Sequence, residues 1–150
     1  MLGTLSPAEI EDLLHTEVVA RIGCHAEGLT YVVPITYAYD GDGLIGHSVD
    51  GLKLRMMRQN PVVCVEVDHM DDLANWRSVI ARGRFEELVG TAASAALVTL
   101  RERFRPLMVS ETSQPTHDLH EGETETHSGN GRAHLYRIHL YEKTGRFERR

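Results

Sequence analysis

Residues 31–61 read YVVPITYAYDGDGLIGHSVDGLKLRMMRQNP. From Tyr31 to Tyr39 the side chains alternate. Tyr31, Val33, Ile35, Tyr37 and Tyr39 fall on one face, and Val32, Pro34, Thr36 and Ala38 on the other, which is the period of a strand. Asp40-Gly41-Asp42-Gly43 predicts a hairpin turn, with residues 44–48 as the returning strand. Gly51 then leads into a short basic helix over 52–59, with Leu54, Met56 and Met57 facing inward. Asn60-Pro61 ends it, because the residue before proline avoids helical geometry. Pro34 has no N–H to give a ladder. Its strand is expected either to lie at a sheet edge or to turn its backbone, at Ile35 and Thr36, toward a flat ligand.

Working outward, Ser6-Pro7-Ala8-Glu9 carries the marks of a helix start, with Ser6 as cap and Glu9 as the acid of a capping box. Residues 18–24 read as a strand and Gly28 as the turn that follows. Downstream, 62–68 is a strand and Asp71-Asp72 a loop. A long strand over 76–89 carries Gly83, which predicts a bulge. Residues 91–104 have helical spacing. Periodicity then disappears over 106–131, which is expected to be a long flexible loop, functional or disordered. A final strand over 135–141 precedes a basic tail with Arg146, Arg149 and Arg150. Few helices and many short links predict a mainly β, α+β chain. The expected architecture is a six-stranded antiparallel barrel with a few flanking helices, forming one domain over 1–150.

The composition suits an ordinary globule of 150 residues, 41% hydrophobic and 25% charged. A net charge of −6 argues against nucleic acid as a partner, which requires a basic stripe. No apolar run reaches the length of a membrane span, and the N-terminus lacks the basic-then-apolar order of a signal peptide, so the cytoplasm is expected. Cys24 and Cys64 both sit in apolar runs and read as buried thiols. No closely spaced ligand pairs suggest zinc. His117, His120, His127, His134 and His139 crowd the last third of the chain. Most fall in the aperiodic segment, where spacing fixes no geometry, so no metal site is expected.

The chemistry-bearing residues converge on the opening stretch. A helix N-terminus at Gly51-Leu52-Lys53 presents unpaired N–H groups and partial positive charge, which attract phosphate. Lys53 adds a full charge, and Arg55 and Arg58 follow on the same helix, a local exception in an acidic chain. A basic surface helix is also commonly a solvated face. Ser78, opening the long strand behind Trp76 and Arg77, is a potential donor to phosphate or to a ring carbonyl. It reads equally as a strand serine facing water. The stretch is thus expected to cradle a cofactor.

In order, the segments YVVPITY with its DGDG turn, LIGHS, GLK with Pro61 eight residues beyond Lys53, WRSVIARGRFEEL and LYRIHLYEKTGR resemble the pyridoxamine 5′-phosphate oxidase-like family of FMN-binding split barrels. The likeness is greatest to its nitroimidazole-reductase-like branch. The resemblance implies a homodimer with FMN at its interface and a small-molecule substrate. By the same resemblance Pro34, Ile35 and Thr36 line the flavin ring. His47 and Ser48 contact the ring or ribityl chain, Leu52 and Lys53 hold the phosphate, and Ser78 completes the site. The arginine-rich substrate motif of true pyridoxamine phosphate oxidases is missing, and Leu52 stands where they carry an arginine. Oxidation of pyridoxamine phosphate is therefore not expected. No catalytic side chain is assigned; a bound flavin would carry the redox chemistry. His47 is a candidate proton donor or a hydrogen-bonding spacer. The competing expectation is a non-catalytic module on the same barrel, carrying flavin, deazaflavin, haem or another tetrapyrrole.

Overall fold

One extended stretch serves both ends of the sheet. In a computed structural model, which describes residues 1–108 and 133–150, strand β2 (Val19–Ala26) turns into β3 (Leu29–Thr36) through Glu27 and Gly28. Both turn residues have positive φ, as a tight hairpin of matching twist demands. β3 pairs with β2 as far as Thr36↔Val19, and the Tyr37 N–H still reaches Val18 O. The chain then changes partners. β4 (Ala38–Tyr39) pairs with β5 (Gly43–Ser48) across the Asp40–Gly43 turn. Asp40 accepts the N–H groups of Asp42 and Gly43 in that turn.

Helix α1 (Pro7–Thr16) precedes β2, and α2 (Leu52–Gln59) follows β5. β6 (Val62–Asp72), β7 (Asn75–Leu88), α3 (Gly90–Phe104) and β8 (His134–Glu148) complete the main path. The strand order is β3-β2-β6-β7-β8-β5-β4, antiparallel throughout, and β1 (Leu2–Thr4) pairs with the end of β8. Because β3 and β4 are one stretch joined at Tyr37, this path closes on itself as a split barrel. The outer edge of β3 faces β5 without a ladder between them.

The barrel interior is filled from every strand but β1 and from helices α1 and α2. Leu13 and Leu14 of α1, Ile22, Leu44, Leu54 and Met57 of α2, Val65, Val67, Tyr136 and Ile138 are almost inaccessible. A second core lies outside the barrel, where Ala96, Leu100 and Phe104 of α3 cover Ala38, Ile45, Leu88 and Leu135. The capping box forms as its residues predict, with Glu9 N–H to Ser6 Oγ and Ser6 N–H to Glu9. The β7–β8 register shifts at Arg82/Gly83. A Cβ on Gly83 would lie 2.5 Å from Ile138 Cγ2 and 2.9 Å from the His139 carbonyl, so the bulge requires glycine.

Several expectations are corrected. The described residues hold eight strands rather than six. β1 is too short to show a period, and the partner change at Tyr37 divides the expected strand 30–39. β8 runs on to Glu148, so Arg146 belongs to a strand and only Arg149 and Arg150 remain as tail. β6 extends through Asp71 and Asp72, leaving Leu73 and Ala74 as the turn. Cys24 is buried but Cys64 is exposed, since odd and even positions on β6 face opposite sides. Of the expected loop 106–131, all but the first residues lie outside those described, as do His117, His120 and His127. No helix among the described residues is long and apolar enough to cross a membrane.

Two buried phenols make opposite contributions. Tyr37 is fully buried and donates to Leu14 O at 2.8 Å, tying α1 to the point of partner exchange. Tyr136 is equally buried, but its hydroxyl has no partner among the described residues. Tyr37→Phe leaves a carbonyl unsatisfied and is expected to cost about 1–2 kcal/mol in urea unfolding. Tyr136→Phe removes an unsatisfied group and is expected to be neutral or stabilising by about 1 kcal/mol.

Candidate functional site

The split between β3 and β5 gathers most of the candidate residues. The β4–β5 register runs Ala38↔Ile45 and Tyr39↔Leu44. Continued past Tyr37, it sets Thr36 opposite His47 and Ile35 opposite Ser48, where the ladder has opened. Pro34 lies next along the β3 lip. Its missing N–H falls in the strand that starts the sheet path, as the edge-strand expectation has it, and the far edge of that strand borders the split. Pro34 and Thr36 are exposed, Ile35 is buried, and His47 and Ser48 are half-buried. Ser48 Oγ donates to Val49 O at 2.9 Å.

Beyond Ser48 the chain turns through Val49–Gly51 into α2. Gly51 caps the helix with no side-chain hydrogen bond, so N–H groups of the first turn stay open to an anion. Leu52 is on the surface, 37% exposed. Lys53 takes a different direction. It extends the buried Met56–Met57 stripe one turn toward the N-terminus, and its Nζ lies 5.9 Å from the centroid of the Tyr136 ring. Burial pushes the Lys53 ammonium below the ordinary lysine range, and neighbouring Cys24 only partly opposes that. Among the described residues no carboxylate pairs with it. A half-buried cation without a counter-ion, at an uncapped helix start, fits a phosphate. It is costly in an empty site.

The three cations expected on α2 have separate fates. Arg58 is held by Glu87 through two bonds of 2.6 and 3.0 Å, which raises its affinity for its proton further. Arg55 is exposed on the outer side of the helix. Only Lys53 turns toward the barrel. Ser78 also stands apart. It lies on β7, paired with Asp68 and Arg146, on the same outward face as Pro34 and Thr36 but three strands along. At the usual strand spacing that is about 14 Å. Within one chain the structure does not bring Ser78 to the split.

Other contributors were invisible to sequence reasoning. Tyr136 lies flat over Gly46, where a Cβ would come within 2.6 Å of its ring and hydroxyl. Its place over Lys53 follows from the Gly46↔Tyr136 pairing, a contact between residues ninety positions apart. Cys24 enters because α2 packs against β2. Of the late histidines within the described residues, His134 contacts Asp50 and Glu87, and His139 contacts Glu86. They do not converge.

Comparison with known proteins agrees with this architecture. The family described as pyridoxamine 5′-phosphate oxidase matches residues 6–147. A FAD-binding protein from Mesorhizobium loti is 28% identical, with a TM-score of 0.77 and 98% of each chain covered. A candidate 5-nitroimidazole antibiotic resistance protein from Bacteroides thetaiotaomicron, 18% identical, shares the fold at a TM-score of 0.68, covering 98% of this chain and 89% of that one. An uncharacterized protein of Rhizobium meliloti is 34% identical over 87 residues, and the match spans 58% of this chain and 58% of that relative. The match over nearly its whole length, together with the shared barrel fold, makes this chain a member of the pyridoxamine 5′-phosphate oxidase family of flavin-binding split barrels.

Proposed function

We propose that this chain binds FMN at the β3–β5 split and uses it, as a homodimer, for electron transfer to or from a small organic molecule. The observation that carries the reading is Lys53, a desolvated cation without a counter-ion, beside the open N–H groups of α2. FMN is the smallest flavin with all the features this site addresses: a flat ring, a polyol and one phosphate. When bound, the flavin supplies the hydride or electron chemistry. The phosphate falls to Lys53 and to the backbone at Leu52. Pro34, Ile35 and Thr36 offer a lip for the ring whose edge away from β2 carries no strand ladder. His47 and Ser48, on the facing lip, are the polar side chains nearest that edge. The Mesorhizobium loti relative, a FAD-binding protein, supports the same assignment at the level of a flavin.

A second copy of the chain is the proposed occupant of the outward face of β3, β2, β6 and β7. That face carries Val19, Val32, Val62 and Ile80 at 39%, 63%, 47% and 52% exposure, set among polar neighbours. Its Arg21 is already paired with Glu66 and Asp68, so that cation would not be covered alone. Ser78 shares that face with Pro34 and Thr36, so two copies meeting there would bring Ser78 to the partner's flavin.

Titration with FMN, FAD and riboflavin, followed by flavin fluorescence, tests the reading. FMN is expected to bind, and Lys53→Met to weaken it about ten- to a hundredfold while leaving riboflavin affinity unchanged. A purified protein that shows a Soret band, or that ignores all three flavins, overturns the assignment. Light scattering is expected to give the mass of a dimer.

The same variant has an opposite effect on the empty protein. Lys53 titrates lower folded than unfolded, so its charge opposes folding at neutral pH. Without flavin, Lys53→Met is expected to be more stable by up to about 1 kcal/mol, or about 2–4 °C in melting temperature. That advantage shrinks as pH rises through the lowered folded value toward the ordinary lysine range, where the natural side chain also becomes neutral. Thermal melts of both proteins between neutral and alkaline pH read the difference.

A further inference from the structure

Four charged side chains form a closed ring at the β5–α2 junction, and the flavin reading uses none of them. Asp50 stands one residue before the helix cap Gly51. Its Oδ1 lies 3.1 Å from His134 Nε2 and 3.5 Å from Arg58 Nη1. The other imidazole nitrogen, His134 Nδ1, lies 3.2 Å from Glu87 Oε1. Arg58 closes the ring through its two bonds to Glu87. The ring therefore ties the junction to the end of β7, the start of β8 and the last turn of α2. The β5 residue facing His134 across the ladder, Ser48, is uncharged.

A neutral imidazole carries one N–H and one lone pair. With a carboxylate oxygen at each nitrogen, only the imidazolium donates to both. Loss of its proton turns one contact into a lone pair against a carboxylate, and leaves the ring with one excess negative charge. Glu87 has Arg58 to hold it, and its carboxyl sits below the ordinary range for that reason. Asp50 has only the 3.5 Å contact left, and its side chain is 69% exposed, so Asp50 is the member set free. The open N–H groups of α2 begin at the next residues along, and a carboxylate there is the preferred company of a helix start.

We infer that protonated His134 is a positioning residue that restrains Asp50, and that on loss of the proton Asp50 competes with the incoming phosphate for the N-terminus of α2. Anion affinity should then fall as the imidazole gives up its proton. The inference rests on the flavin reading, with FMN as the probe. The ligand's own phosphate also titrates near pH 6, so the comparison is between proteins rather than between pH values.

FMN titrations of the natural protein and of Asp50→Asn from pH 5.5 to 8.5 are expected to diverge. At pH 8 and low salt, Asp50→Asn should bind about three- to tenfold more tightly than the natural protein, and the two should converge near pH 5.5. By reciprocity FMN should move the NMR titration midpoint of the natural protein's His134 upward by about half to one pH unit. That measurement decides the matter should Asp50→Asn fail to fold. Parallel profiles for the two proteins, or a His134 midpoint indifferent to FMN, overturn the inference while leaving flavin binding intact. Absence of FMN binding at every pH overturns the flavin reading itself, and this inference with it.

Discussion

The structure turns on the change of partners at Tyr37. One continuous stretch pairs with β2 through its first eight residues and with β5 through its last two. It can do so because Tyr37 leaves the ladder and spends its backbone N–H on Val18 and its hydroxyl on Leu14. A stretch that stayed with either neighbour would give an open sheet or a fully laddered barrel. Division between two neighbours closes the barrel at one end and parts it at the other. The parted region lies between Thr36 and His47, so the requirement that every buried backbone group find a partner also sets where a flat ligand can enter.

Electrostatics then mark the depth of that opening. Several cations on the surface have a carboxylate at hand, among them Arg21, Arg58, Arg77, Arg137, Lys143 and Arg149. In a chain of net charge −6, pairing is the easy outcome. Lys53 departs from it by facing inward over Tyr136, where burial opposes its charge. The unsatisfied Tyr136 hydroxyl lies in the same region. Two energetically unfavourable groups together are expected where a site sacrifices stability of the empty state for affinity.

What the sequence made legible follows the range of the physics involved. Local signals carried well: the capping box, the Asp40–Gly43 turn, the Asn60-Pro61 stop and the Gly83 bulge each depend on a few adjacent residues. Alternation along 31–39 correctly divided Val32, Pro34 and Thr36 from the buried Ile35 and Tyr37. Signals that depend on partners far along the chain did not carry. Arg58 looks like a phosphate ligand in its own helix, until Glu87 is seen to occupy it. Ser78 stands with the proline-bearing strand in the motif order, but within one chain the path β3-β2-β6-β7 separates them. Cys64 lies in an apolar run, yet the pleat turns it outward. His134 follows a segment without periodicity, and only the Ser48↔His134 pairing brings it to the site.

The sequestering of Arg58 changes what the rest of the site must do. Leu52 offers no charge where an arginine would reinforce the lysine, so a phosphate proposed here would meet one full cation and the helix backbone. Backbone N–H groups carry only partial charge, and any nearby carboxylate weighs heavily against them. Asp50 is such a carboxylate, directly before the helix. It is tolerable there while its charge is engaged elsewhere, by Arg58 and by His134. On the proposed reading the ring of four charges therefore belongs to the anion grip, although none of its members need touch the anion.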